Sequence, residues 1–178
     1  MTRAHLFVDE SKRNDYVLVS AAVPTHLLRQ TRATIRELLL PRQSSIHMKN
    51  ESAGRRAELL TAVRSLDLEL TIYVAVKSSH PTQVRGRDAC IERLVADAIA
   101  SEAERIVFDL DLTLIRADRR SIVSGAWAVG HATVPFRYEH AKASQEPLLA
   151  IPDIVGWSWS RGGRWRAALR DAVTEVRV

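Results

Sequence analysis

Ala4-His5-Leu6-Phe7-Val8-Asp9 and Tyr16-Val17-Leu18-Val19-Ser20-Ala21-Ala22-Val23 are two β-rich runs set around the polar turn Ser11-Lys12-Arg13-Asn14-Asp15. Runs of this composition on either side of turn residues predict a hairpin at the start of the chain. Beyond it, Leu27, Leu28, Ile35, Leu38 and Leu39 recur at helical spacing, with Thr25 as the expected N-cap and Pro41 as the stop. Arg29, Arg32 and Arg36 form a basic stripe on the outward side of that helix. A polar link from Arg42 to Ser52 carries Ile46-His47-Met48-Lys49 and leads to a second helix with Leu59, Leu60, Val63 and Leu66.

The next strand alternates cleanly. Leu68, Leu70, Ile72, Val74 and Val76 face one way and Glu69, Thr71, Tyr73, Ala75 and Lys77 the other, so at least one face belongs to the core. A helix with Ile91, Leu94, Val95, Ala98 and Ile99 on one stripe follows, and Cys90 beside that stripe reads as a small buried hydrophobe. Arg105-Ile106-Val107-Phe108-Asp109-Leu110 is nearly continuous apolar sequence, as a central strand covered on both faces requires. A weak helix over Ala117 to Gly130, a last strand over Val134 to His140 and a long helix from Gln145 to Val178, interrupted near Gly162-Gly163, complete the chain. The order β-β-α-α-β-α-β-α-β-α predicts one α/β domain over residues 1–178, a mixed five-stranded sheet with helices on both faces.

Composition agrees with one ordinary globular domain. The chain has 178 residues, 46% hydrophobic and 26% charged, with 7 Gly and 6 Pro, which excludes collagenous and low-complexity proteins. A single cysteine precludes an internal disulfide, and the first residues lack an apolar signal segment; together they lead to the expectation of a reduced cytoplasm. No uninterrupted apolar stretch approaches the roughly 20 residues that span a bilayer, so no membrane association is expected. The net charge is +5, and of the cationic residues only Lys12, Lys49, Lys77 and Lys142 are lysines. Arginine forks suit phosphate and carboxylate groups, which admits a polyanionic partner such as nucleic acid.

Ligands of open α/β sheets gather beyond the carboxyl ends of strands, so acids at those ends matter most. Asp9 and Glu10 end the first strand, and Asp109 with Asp111 ends the Ile106–Leu110 strand. Asp153 sits in the apolar stretch Leu148-Leu149-Ala150-Ile151-Pro152-Asp153-Ile154-Val155-Gly156-Trp157, where a charge needs a partner. Each acid alone has a structural explanation: a turn cap, an ion pair with arginine, or a place in the first turn of a helix. Three carboxylates embedded in apolar sequence favour a shared site for a hard cation, Mg²⁺ or Mn²⁺.

Phe7-Val8-Asp9-Glu10-Ser11, Ile46-His47-Met48-Lys49, Asp109 and the run Glu146-Pro147-Leu148-Leu149-Ala150-Ile151-Pro152-Asp153-Ile154-Val155 resemble the motifs of a bacterial domain-of-unknown-function family, number thirty-eight hundred. The resemblance spans nearly the whole chain and implies a ribonuclease-H-like fold, an acidic metal-dependent centre and phosphodiester hydrolysis. By the family pattern Asp9 and Glu10 belong to the first motif, His47 to the second, Asp109 to the central strand and Asp153 to the final helix. Two positions depart from it: Lys12 stands where a glycine is usual, and Pro152 precedes Asp153 where another residue is commoner. The implied mechanism uses two divalent ions about 3.5–4 Å apart, held by Asp9, Asp109 and Asp153. Glu10 or Glu51 is then a candidate fourth carboxylate, His47 a candidate proton carrier, and Lys49 a candidate phosphate contact.

Two other constellations compete. Asp109-Leu110-Asp111-Leu112-Thr113 resembles the first motif of the haloacid dehalogenase phosphatases, which implies Asp109 as nucleophile and Asp111 as general acid. Leu112 stands where that motif has a small glycine, and no paired-acid motif follows downstream. Trp157, Trp159 and Trp165, interleaved with Arg161, Arg164, Arg166 and Arg170, suggest instead a non-catalytic surface for nucleic acid or for a homodimer. At helical spacing the same tryptophans also read as cover for the core.

Overall fold

Phe7 on β1 (Ala4–Ser11) packs into one apolar cluster while Leu6 and Val8 pack into another, so this strand is covered on both sides. The computed structural model describes residues 3–13 and 15–178; Met1, Thr2 and Asn14, the last within the expected hairpin turn, lie outside the described residues. β2 (Tyr16–Pro24) returns antiparallel to β1, with Asp9 opposite Val19 and Glu10 opposite Leu18. β3 (Glu69–Ala75) pairs antiparallel with β2, and β4 (Arg105–Asp109) lies parallel on the other side of β1. β5 (Arg137–Ala141) extends the sheet parallel to β4, and β6 (Thr174–Arg177) extends it parallel to β3. The order is β5-β4-β1-β2-β3-β6, with β2 alone reversed.

Six strands replace the expected five, because the C-terminal segment is not one long helix. α5 (Ala150–Arg161) stops at Gly162, α6 (Gly163–Ala167) is a short continuation, and β6 then joins the sheet edge. Gly162 and Gly163 hold φ of 74° and 55°, a left-handed conformation that ends a helix at little cost only for glycine. The four-residue β6 is defined by its long-range partner β3, which local periodicity does not reveal.

Helices cover both faces. α1 (Leu28–Glu37), α2 (Ala53–Ser65) and α5 pack Ile35, Leu59 and Ile154 with Phe7, Val19, Ile72 and Val107. α3 (Gln83–Ala100) and α4 (Ile115–Ala128) pack Ile91, Leu94 and Ile122 with Leu6, Val8, Leu18 and Tyr73. β3 therefore contributes to both cores, Ile72 to one and Tyr73 with Ala75 to the other. Each buried Ile or Leu contributes about 1.5–3 kcal/mol relative to leaving it in water. Cys90 is fully buried, as expected, and burial pushes its thiol up to about 12.

Two helix starts differ from expectation or refine it. Thr25 begins a 3-10 turn rather than capping α1, and its hydroxyl donates to the Arg3 carbonyl at 3.0 Å. Gly156 lets α5 settle against β2: a Cβ there would stand 3.3 Å from Val19 Cγ2. That contact holds the first turn of α5, with Asp153, over the carboxyl end of β1. Among the described residues, no helix is long and apolar enough to cross a membrane.

Candidate acidic site

β1 and β4 run parallel with Val8 beside Phe108, so their next residues, Asp9 and Asp109, leave the sheet side by side. Side chains alternate along a strand, and both acids fall on the face of Phe7 and Val107, the face covered by α5. Asp153, in the first turn of α5, joins them there. Three elements distant in sequence thus deliver one carboxylate each to the same strand end.

The electrostatics express that convergence. Asp9 is held well above the ordinary carboxylate range, first by burial, then by the charges of Asp153 and Asp109, with Arg87 and Lys12 opposing. Asp153 is raised by burial and by Asp109, although the Met48 amide, His47 and Lys49 pull it down. Asp109 is raised by burial and by Asp111 against the Leu110 amide and His47. Like charges near one another in a half-buried place favour protonation or a cation.

Hydrogen bonds fix one oxygen of two of these acids. Asp9 Oδ1 accepts from the Glu10 amide at 2.7 Å, and Asp153 Oδ2 accepts from the Met48 amide at 2.7 Å. The second oxygen of each has no protein donor among the described residues. His47 stands beside Asp109 and Asp153, its Nε2 3.1 Å from Ser45 Oγ. Lys49 is exposed at the rim. Among the described residues, no group of three or more His, Cys, Asp or Glu side chains is drawn together tightly enough to hold a metal ion as it stands.

Glu10 belongs elsewhere. One position along the strand puts it on the opposite face, where its carboxylate pairs with Arg87 and with Lys12 Nζ at 2.6 Å and accepts from Tyr16 Oη at 3.2 Å. Arg87 in turn grips the fully buried Asp118 through Nε at 2.6 Å and Nη2 at 2.9 Å, and His140 Nε2 lies 2.7 Å from the same carboxylate. Burial alone would raise Asp118, yet the bonds from Arg87 and His140 hold it below its ordinary value. Glu51, the other candidate fourth carboxylate, is buried and accepts from Gln43 Nε2 at 2.6 Å. The Arg87–Asp118–His140 network escaped the sequence reading because its members lie on α3, α4 and β5. The alternation of strand residues was signal enough to separate Glu10 from Asp9.

The competing constellations also resolve into geometry. Asp111 Oδ1 accepts from the Thr113 amide at 2.9 Å and its hydroxyl at 2.6 Å, a local turn that leads into α4. Trp159 is buried in the core, and Trp157 and Trp165 pack against that core and edge to face with each other at 5.3 Å. Their ring faces carry Arg56 at 4.5 Å on Trp157, Arg164 at 4.9 Å on Trp165 and Arg166 at 3.8 Å on Trp159. Arg161 is exposed, and Arg166 also pairs with Glu175 at 3.5 Å.

No family model matches the chain, and no curated protein matches it. The solved structure of the PCNA:RNase HII complex from Archaeoglobus fulgidus is similar over 96% of this chain and 77% of that chain, with a TM-score of 0.58 and 15% identity. The fold is similar to that of RNase HII. At this identity the likeness reaches the arrangement of sheet and helices, and function has to be argued from the site.

Proposed function

We propose that the chain is a metal-dependent phosphodiester hydrolase acting on nucleic acid, with Asp9, Asp109 and Asp153 as the ligands of Mg²⁺ or Mn²⁺. The observation that carries this reading is the convergence of three largely buried carboxylates at one strand end, delivered by β1, β4 and α5, where Asp153 and Asp109 both help hold Asp9 above its ordinary range. Their oxygen donors suit a hard divalent ion, and Asp9 and Asp153 each keep an oxygen uncommitted among the described residues. Bound divalent ions supply an activated water and charge stabilisation at the leaving oxygen of a phosphodiester. The similarity of the fold to that of RNase HII supports the same reading.

His47 takes the role of proton carrier at the reacting oxygens, its ring oriented by Ser45. Lys49, exposed at the rim, contacts a phosphate of the bound strand. Glu10 positions rather than reacts: through Arg87 it anchors the end of β1 from the far side of the sheet, which fixes where Asp9 leaves it. Arg161, Arg164 and Arg166 remain candidate phosphate contacts around the Trp-rich helix. A single buried cysteine accords with a cytoplasmic setting.

A second reading, a nucleic-acid-binding module with a decayed site, is favoured by one observation: the acids do not stand as a closed metal cluster. Labelled single-stranded and duplex DNA and RNA, incubated with Mg²⁺, Mn²⁺ or EDTA, separate the two. Cleavage by the wild type that requires the divalent ion is expected. Asp109→Asn should lose more than the about 10–100-fold typical of changes outside the ligand shell. Intact substrates under every metal condition, with binding retained, would establish the binding module instead.

A further inference from the structure

The helix that follows Asp109 carries an exposed face that is both basic and aromatic. Its buried stripe, Asp118, Ser121, Ile122, Gly125 and Ala126, packs toward α3. Its opposite stripe is exposed and runs Arg116, Arg119 with Arg120, Val123 and Trp127, at successive turns over about 16 Å. Trp127 is 71% exposed, a large apolar surface to leave in water. None of the three arginines has an ion-pair partner among the described residues. The one acid of the helix, Asp118, is turned inward and held by Arg87.

We propose that this face of α4 docks single-stranded nucleic acid, with bases stacked on Trp127 and phosphates on Arg116, Arg119 and Arg120. The inference rests on the hydrolase reading and adds to it the path of the bound strand. Three features favour this occupant. Cationic forks beside an open indole match the alternation of phosphate and base along a strand. A shallow groove along Arg119, Arg120, Val123, Ser124 and Trp127 adjoins a second one reaching Thr113, in the loop that leads back to Asp109. A second copy of this chain fits poorly, since a two-fold contact would gather the three unpaired arginines of each copy at one seam with no exposed acid of α4 to offset them. The Trp-rich α5 and α6 do not compete, because Arg56, Arg164 and Arg166 already cover those indole faces.

Fluorescence anisotropy of labelled oligo-dT and oligo-U in EDTA, across a salt series, tests the surface apart from catalysis. Trp127→Ala should weaken binding about tenfold, the scale of a lost stacking contact. The double variant Arg119→Ala/Arg120→Ala should flatten the slope of log K against log salt by about 1.4. Arg64→Ala, an exposed arginine of α2 across the sheet from α4, should change neither, and all variants should keep the wild-type melting curve, since the altered side chains are exposed. Unchanged affinity and slope in both α4 variants would overturn the inference. So would a wild-type dimer, seen by sedimentation, that Trp127→Ala converts to a monomer without affecting binding. Strand binding through α4 without cleavage in Mg²⁺ or Mn²⁺ would sink only the hydrolase reading; cleavage with binding indifferent to α4 would sink only the surface.

Discussion

Asp9 carries the cost of the site. Its carboxyl is raised by burial and by two neighbouring acids, so the folded chain holds a proton there that the unfolded chain releases above about pH 4. The folded state binds more protons in that window, and this group's contribution to stability therefore falls as pH rises. Asp9→Asn removes the charge while its amide oxygen can still accept from the Glu10 amide. Without divalent ions at neutral pH, the variant should melt about 2–4 °C higher than wild type, the shift of about 1 kcal/mol in a chain this long. Calorimetric melting reads it, and an unchanged or lower Tm would show that Asp9 bears no such repulsion. Asp9, Asp109 and Asp153 were legible in sequence as charges inside apolar runs. Glu10 was misgrouped with Asp9 because adjacency in sequence is opposition across a strand.

At the scale of elements, Arg87 on α3 ties together β1, α4 and β5 behind the acidic site. It is 4% exposed and serves Glu10, Tyr16 and Asp118 at once. Arg87→Met would leave Asp118 buried and uncompensated except by His140, and should destabilise the fold by about 3–5 kcal/mol in urea unfolding. A loss below about 1 kcal/mol would mean that water reaches the network. Because Asp118 is held below its ordinary value, its contribution is present above pH 4 and is lost as pH falls through its folded pKa. The wild type should therefore lose stability on acidification in that range, and Arg87→Met should lose less. Most helices and the first five strands were legible, from apolar residues at helical spacing, from the alternation of β3 and from the β-rich or continuous apolar runs of β1, β2 and β4, with β5 overlapping the strand expected over Val134 to His140. β6 and the break between α5 and α6 were not, because one depends on pairing with β3 and the other on two left-handed glycines.

For the whole molecule, the hairpin and the parallel β4 set one reversed strand in the middle of the sheet and bring two strand ends together beneath α5. That arrangement is what the similarity to RNase HII covers, and it is a frame on which different chemistry can stand. Chemistry enters with the three carboxylates and the claim that a divalent ion draws them together. Isothermal titration of Mn²⁺, and separately Mg²⁺, into the wild type and into Asp153→Asn tests that claim most directly. Saturable binding by the wild type, weakened about a hundredfold or abolished in Asp153→Asn, is the predicted result. No binding by the wild type, or equal binding by both proteins, would contradict it.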